Sequence, residues 1–280
     1  MPARKGKRKS EITPVSAKGA DISTDLAALQ ESLEFFDADA SIGRPGKPGE
    51  VQPASVAELL AEMKRLGIRK ALVKHMSCWE SGPFLGNERL MKEIAGYDNL
   101  IPVWCLVPDG AGELGDPDDF VQNMVSEGVR AAWATPQRMV WSLAEWCCGG
   151  MLGALEKRRV PLMLQLEETT IEDLRSVLKN HPRLPVILVR VSYRLNRLLF
   201  PLLERHENLH LCVGPPFSVH LGIEEICRRF GHGRLVYGSS FPAGEGSGAA
   251  TQVSYAEISA AARRAIAFGN LDRLVKGART

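Results

Sequence analysis

The chain has 280 residues, 45% of them hydrophobic, and a formal net charge of +2, so it is long enough to bury a sizeable core. No uninterrupted apolar run approaches the roughly 18 residues that a membrane-spanning helix needs, which excludes a membrane span. No apolar segment follows the basic start of the chain, so we expect no secretory signal.

Charge is distributed unevenly along the chain. Residues 1–18 contain six Lys or Arg and a single acid, a net +5 that leaves −3 for the remaining 262 residues. This pattern predicts a disordered basic leader over residues 1–20 and one folded domain over residues 21–280. Because the domain is slightly acidic, it lacks the concentrated basic face that nucleic acids require, and we expect no nucleic-acid partner.

Apolar strand patterns alternate with amphipathic helix patterns after an initial helix candidate at residues 24–32. The eight strand candidates are residues 33–38, 70–74, 101–107, 129–133, 161–166, 185–191, 209–213 and 234–237. Most are short continuous runs of Val, Ile and Leu, which is typical of parallel strands buried on both faces.

Helix candidates lie between these strands. Residues 55–66 begin with a capping box formed by Ser55 and Glu58 and end before Gly67. Further helices are predicted at residues 170–180, 196–206, 219–230 and 254–268. Eight strand–helix repeats in about 250 residues predict a single-domain α/β protein, a (β/α)8 TIM barrel, with a doubly wound open sheet as the alternative.

The six cysteines contain no C-x-x-C pair, so we interpret them as reduced, mostly buried thiols of a cytoplasmic protein. Polar residues that follow a strand are candidates for chemistry, because TIM-barrel active sites lie at the C-terminal ends of the strands. We call this end the mouth of the barrel. Of the six histidines, only His75 and His220 fall on that side.

Five segments resemble, in order, motifs of the amidohydrolase-related family of metal-dependent hydrolases, which are TIM barrels. Residues 36–45 (FDADASIGRP) resemble its D-x-H-x-H motif, residues 160–165 (VPLMLQ) its P-x-x-x-H strand, and residues 235–242 (LVYGSSFP) its G-S-D-F-P strand. The other two segments, residues 87–103 and 267–274, resemble its second helix with the third strand and its terminal G-N-x-x-R-L helix. The resemblance implies the same barrel that the alternation predicts.

The resemblance also implies five metal-ligand positions, and here they hold other side chains. These positions read Asp39, Ser41, Gln165, Arg190 and Ser240. Only Asp39 is a normal zinc ligand, whereas a catalytic zinc ion needs about three good donors. Arginine has no lone pair to donate and stays protonated. We therefore expect no metal ion and no other cofactor, with a relocated metal site around His75 as the alternative.

We hypothesise that Arg190 takes the region of the lost metal and balances the charge of Asp39. We also expect Lys74 and His75 to point in opposite directions, because side chains alternate along a strand. The predicted catalytic residues are Asp39, His75, Arg190 and Glu167. The predicted ligand-binding residues are Ser41, Lys74, Gln165, Trp133, Ser240 and Tyr193.

Three functions stay open at this point. The first is binding of a small carboxylate or aromatic ligand at a degenerate, metal-free site. The second is a metal-independent hydrolase, lactonase or decarboxylase, with Asp39 or Glu167 as base, His75 as proton shuttle and Arg190 as electrostatic stabiliser. The third is a non-catalytic scaffold whose basic leader makes the contacts. The expected partner is a small molecule, and the resemblance favours a homo-oligomer.

Overall fold

The computed structural model describes residues 33–44 and 52–279, in which eight strands form one sheet in the order β1 to β8. The strands are β1 Phe35–Ile42, β2 Ile68–His75, β3 Leu100–Leu106, β4 Ala131–Ala134, β5 Leu162–Gln165, β6 Val186–Val189, β7 Leu209–Val213 and β8 Leu235–Tyr237. Each strand pairs in parallel with the next, and β1 also contacts β8. The predicted (β/α)8 TIM barrel is therefore confirmed.

Helices follow the strands, as a barrel of this kind requires. Within the described residues they are α1 Val56–Leu66, α2 Cys78–Glu93, α3 Pro117–Ser126, α4 Glu145–Arg158, α5 Ile171–Asn180, α6 Asn196–Arg205, α7 Gly222–Phe230, α8 Ser247–Tyr255, α9 Ala260–Arg264 and α10 Asn270–Lys276. The predicted capping box of Ser55 and Glu58 is present at the start of α1, and Gly67 ends that helix in the left-handed conformation.

Strand side chains alternate between two apolar layers. One set, which includes Leu72, Trp133 and Val236, fills the barrel interior. The other set, which includes Val73 and Tyr237, packs with the surrounding helices. Because both faces of each strand are buried, the strands read as continuous apolar runs, and this made them recognisable in the sequence.

The first and last strands meet at a seam that a buried carboxylate joins. Asp37 Oδ1 accepts a hydrogen bond from the backbone N–H of Ser239 at 2.8 Å, and its Oδ2 accepts one from the Ser239 hydroxyl. Further along the seam, the Ser41 N–H donates to the Phe241 carbonyl at 2.9 Å. The side chain of Asp37 therefore helps to close the barrel between β8 and β1.

The single helix predicted at residues 254–268 is wrong. α8 ends at Tyr255, and Ser259 then caps a new helix, α9, because its hydroxyl accepts a hydrogen bond from the Ala262 N–H at 3.1 Å. A π-helical turn over Ala265–Gly269 joins α9 to α10.

The basic leader predicted over residues 1–20 and the helix candidate at residues 24–32 lie outside the described residues. No helix within residues 33–44 and 52–279 is long and apolar enough to cross a membrane. All six cysteines lie within the described part of the chain, where they are free and four of them are buried.

Candidate functional site at the mouth of the barrel

Asp39 lies at the centre of a polar cluster at the mouth. β1 continues past its predicted end at residue 38, with a register shift between Asp37 and Ala40. Asp39 contacts Lys74 of β2 and Ser240, which follows β8. Its Oδ1 accepts a hydrogen bond from the Lys74 ammonium, and its Oδ2 accepts one from the Ser240 hydroxyl at 2.8 Å. The side chains of Asp39 and Lys74 are only 1% and 4% exposed, so this ion pair is buried.

A glycine sets the distance between β8 and this carboxylate. A Cβ at Gly238 would lie 2.4 Å from the Cys212 Sγ and 3.2 Å from the Asp39 Cβ. A larger residue at that position would clash with Cys212 of β7 and would press on the side chain of Asp39. Gly238 therefore allows Ser240 to reach Asp39.

Arg190, which we expected to balance Asp39, is the more distant of the two cations. Its Nε lies 3.7 Å from Asp39 Oδ2, beyond hydrogen-bonding range, and has no hydrogen-bond partner among the described residues. Arg190 has a φ of 55° and Ser240 a φ of 58°, a left-handed conformation that costs a non-glycine residue roughly 1 kcal/mol. Two residues that face Asp39 are thus held in strained backbone conformations.

The neighbouring cations keep Asp39 ionised. Burial on its own raises the pKa of this carboxyl, but the charges of Lys74 and Arg190 and the hydrogen bonds from Lys74 and Ser240 outweigh burial. The pKa of Asp39 therefore lies below its usual range. Two cationic side chains then face one carboxylate, so the cluster favours an additional anion.

Asp37 shows the opposite behaviour two residues away. Burial raises its pKa to about 6, despite hydrogen bonds from Ser239 and from the Asp39 backbone N–H. Asp37 contacts no cation in the structure described, and this difference explains why two carboxylates on one strand titrate in opposite directions.

Three tryptophans lie at or beside the end of β4. The rings of Trp79 and Trp133 pack with centroids 5.4 Å apart, and the Lys74 ammonium lies 5.2 Å from the Trp133 centroid. Among the described residues, the indole N–H groups of Trp79, Trp133 and Trp141 are buried without an acceptor. Together with Arg190 Nε, they are four N–H donors without acceptors at this end of the barrel.

Glu168, rather than the predicted Glu167, is the buried acid that follows β5. Glu167 is exposed, whereas Glu168 accepts a hydrogen bond from the Arg138 backbone N–H at 3.0 Å. The Arg138 guanidinium lies 3.8 Å from the Trp79 ring centroid. Glu168 thus fixes the loop after β4 beside that tryptophan, and Glu167 lies outside the cluster.

His75 ends β2 but points away from Asp39, in the direction opposite to Lys74. Its Nδ1 lies 2.7 Å from the Ser77 hydroxyl and its Nε2 3.2 Å from Glu93 Oε1 on α2. A Cβ at Gly43 would come within 2.6 Å of the imidazole, so a glycine there makes room for the ring. His75 therefore belongs to the layer between barrel and helices, where it is not placed to exchange a proton with Asp39.

The other predicted ligand-binding residues lie around the rim. The Ser41 hydroxyl donates to the Phe241 carbonyl at 3.0 Å, Gln165 ends β5 half-buried, and Tyr193 is exposed in the turn after β6. The cluster that the structure brings together consists of Asp39, Lys74, Arg190, Ser240 and Trp133.

The sequence interpretation missed Lys74 as the principal partner of Asp39. A usable signal was present, because Lys74 follows the apolar run of residues 71–73 and a buried ammonium needs a carboxylate nearby. Within residues 33–44 and 52–279, no group of three His, Cys, Asp or Glu side chains is arranged to hold a metal ion.

The chain is a TIM barrel with a polar cluster at the C-terminal ends of its strands, which is where TIM-barrel proteins carry their active sites. The sequence model of the amidohydrolase family matches residues 30–276, and the chain belongs to that family. No curated protein matches the chain by sequence.

Solved structures of similar fold include three aromatic-acid decarboxylases. The 2,6-dihydroxybenzoate decarboxylase from Rhizobium has a TM-score of 0.67 and 16% identity, over 87% of this chain and 99% of that chain. The dihydroxybenzoic acid decarboxylase from Polaromonas, with bound manganese and 2-nitroresorcinol, has a TM-score of 0.66 and 14% identity, over 87% and 97%. The 5-carboxyvanillate decarboxylase from Novosphingobium aromaticivorans, complexed with manganese and a nitrobenzoic acid, has a TM-score of 0.69 and 13% identity, over 88% and 97%. At these identities the similarity establishes the fold alone.

Proposed function

We propose that the mouth of this barrel binds a small aromatic carboxylate without a metal ion. The observation that carries the proposal is the set of four buried N–H donors without acceptors, on Arg190, Trp79, Trp133 and Trp141. A buried donor without a partner costs about 1–3 kcal/mol, and native proteins hold few of them. These N–H atoms are covered by neighbouring side chains, so an acceptor-rich ligand such as a carboxylate with ring hydroxyls would offset that cost by displacing those side chains.

Charge and shape support the same ligand. Lys74 and Arg190 outnumber the single carboxylate of Asp39, and the Arg190 side chain is 29% exposed, so it is able to meet a ligand. The Trp79 and Trp133 pair offers aromatic surface beside the cluster. The similar folds named above belong to proteins that act on dihydroxybenzoate or carboxyvanillate.

The residues of the cluster do not fit the metal ion of the family. Both carboxylate oxygens of Asp39 already accept hydrogen bonds, one of them from an ammonium group. A divalent cation placed there would meet the charges of Lys74 and Arg190 and would find one good ligand. We propose that these two side chains provide the positive charge that a metal supplies elsewhere.

Titration calorimetry with 2,6-dihydroxybenzoate in the presence of EDTA tests the proposal. We expect binding of one ligand per chain, a loss of roughly tenfold or more in affinity for Arg190→Met, and no change for the exposed control Arg197→Met. Binding that disappears with EDTA and returns with manganese would overturn the metal-free site. Absence of binding by any benzoate would favour a scaffold.

Lys74 favours metal-independent decarboxylation of the same ligand as a second function. Its buried ammonium lies beside the Trp133 ring, where it is able to donate a proton to an aromatic carbon. In this reaction the ring–carboxylate bond breaks, its electron pair stays on the ring carbon, and carbon dioxide leaves. Lys74 then protonates that carbon and recovers its proton from water.

Deuterium incorporation tests this second function. In D2O, turnover of 2,6-dihydroxybenzoate would give resorcinol deuterated at the former carboxylate position, and Lys74→Arg, which keeps the charge, would slow the reaction while retaining binding. Bound ligand with no resorcinol after prolonged incubation would leave binding as the only function of the site.

A further inference from the structure

A groove on the outside of the barrel lies between α2 and α3 and has a volume of about 590 Å³. Trp104 of β3 lines it together with Phe84, Met91, Leu114 and Phe120, so its lining is largely apolar. The Trp104 and Phe120 rings pack with centroids 5.7 Å apart. A cavity of this size fits one small molecule.

Acidic side chains surround this apolar lining, and no Lys or Arg is among its lining residues. The acids are Glu88, Glu113, Asp116, Asp119 and Glu127. Glu88 pairs with Lys92 at 2.7 Å, and Asp116 caps α3. For Glu113, Asp119 and Glu127, no ion pair exists among the described residues. Their negative charge is therefore available to a cationic ligand.

One of these charges is placed unfavourably for the helix that carries it. Glu127 is the C-cap of α3, and the last turn of that helix contains no basic residue. A helix C-terminus carries partial negative charge, so a carboxylate there is destabilising and a cation is stabilising. A bound cation would relieve this repulsion.

A second, independent feature of the groove indicates a ligand. Trp104 is 9% exposed, and its indole N–H is buried without a hydrogen-bond partner among the described residues. Trp104 is a lining residue of the groove and its N–H lies beneath the lining surface, so a ligand with an acceptor atom would satisfy this donor once it displaces the side chains that cover it.

We propose that the groove between α2 and α3 is a second binding site, which takes a small aromatic amine that also carries a hydroxyl or similar acceptor. The ammonium group pairs with the acidic rim, the ring packs on Phe120 and Trp104, and the acceptor meets the Trp104 N–H. A second copy of this chain bound through the same face would set five acids against five, which like-charge repulsion opposes. This site is separate from the mouth and does not depend on the proposed function.

Tyramine is a suitable probe because it combines an ammonium, a ring and a hydroxyl. We would compare it with 4-ethylphenol, which lacks the amine, and with 3-(4-hydroxyphenyl)propionate, which replaces it by a carboxylate. Calorimetry should show saturable binding of tyramine, roughly tenfold weaker binding of 4-ethylphenol, and no binding of the propionate. The affinity for tyramine should fall as salt concentration rises.

Variants assign the binding to the groove. Glu113→Gln combined with Asp119→Asn should weaken tyramine binding roughly tenfold, whereas Glu172→Gln, which removes an exposed acid on α5, should leave it unchanged. Trp104→Phe retains a ring and removes the N–H. The variant should therefore lose more affinity for tyramine than for phenethylamine, an analogue without the hydroxyl. The Trp104 indole N–H resonance, identified by its loss in that variant, should shift on titration.

Several results would overturn the proposal. Equal affinity for tyramine and 4-ethylphenol would remove the role of the acidic rim. Unchanged binding in the Glu113 and Asp119 double variant, or loss of binding in Arg190→Met, would place the amine elsewhere. Binding of arginine-rich peptides without binding of tyramine would indicate a protein partner in place of a small molecule.

Discussion

On the side of the mouth formed by β1, β2 and β8, polar groups satisfy one another. Asp37 binds Ser239, and Asp39 binds both Lys74 and Ser240. At the ends of β4 and β6, the N–H donors of Trp133 and Arg190 are buried without acceptors. On the first side, each polar group has a partner within the protein. On the second side, the donors lack a partner that a ligand would supply. This contrast indicates where stability and where ligand affinity should be sensitive to mutation.

Lys74→Met should give the largest effect on the satisfied side. It leaves the Asp39 carboxylate buried and without its main cation, which costs about 3–5 kcal/mol of unfolding free energy. Adding Asp39→Asn should recover much of this loss, with a coupling of about 2 kcal/mol in a double-mutant cycle followed by urea denaturation. Additive effects of the two changes on the free energy of unfolding would contradict an ion pair between Lys74 and Asp39.

The raised pKa of Asp37 should be visible in the pH dependence of stability. Its folded pKa of about 6 lies above its ordinary value of 3.8, so the stability that it contributes is complete below pH 3.8 and is lost as pH rises toward 6. Relative to Asp37→Asn, the native chain should lose on the order of 3 kcal/mol between those pH values. Parallel pH profiles of urea midpoints for the two proteins would show that Asp37 titrates normally.

Ser240 stabilises the fold through its hydrogen bond to Asp39 and destabilises it through its left-handed backbone, and two substitutions separate these effects. Ser240→Ala removes a hydrogen bond to a charged group and should cost about 2 kcal/mol. Ser240→Gly removes the same bond but relieves the φ of 58°, so it should cost about 1 kcal/mol less than the alanine variant. Equal losses in thermal or urea unfolding would argue that the backbone at this residue is unstrained.

Arg190→Met should produce the smallest change in stability and the largest change in ligand affinity. Its Nε is 3.7 Å from Asp39 and makes no hydrogen bond among the described residues, and its side chain is 29% exposed, so water compensates much of the lost charge interaction and the loss in unfolding free energy should stay below about 1 kcal/mol. A stability loss as large as that of Lys74→Met would show that Arg190 belongs to the structural network around Asp39. The two sides of the mouth would then not differ as described.

The sequence predicts the barrel well because all eight strands are buried on both faces and follow one another in space. The same double burial hides which residues of a strand face inward, so the sequence does not distinguish Lys74 from His75 as the group that reaches Asp39. The motif resemblance placed Asp39, Arg190 and Ser240 at the mouth. The choice of Glu168 over Glu167 depends on a short turn, Leu166–Glu168, that no periodicity indicates.

The bond between Asp37 and Ser239 spans 202 positions of the chain. During synthesis on the ribosome, the carboxylate therefore leaves the exit tunnel long before its partner exists and must stay hydrated while most of the barrel assembles. Ring closure is then a late step that waits for the eighth strand, and such distant pairings slow folding. A nascent chain that stops short of this serine would expose an open edge, which chaperones recognise and which invites aggregation.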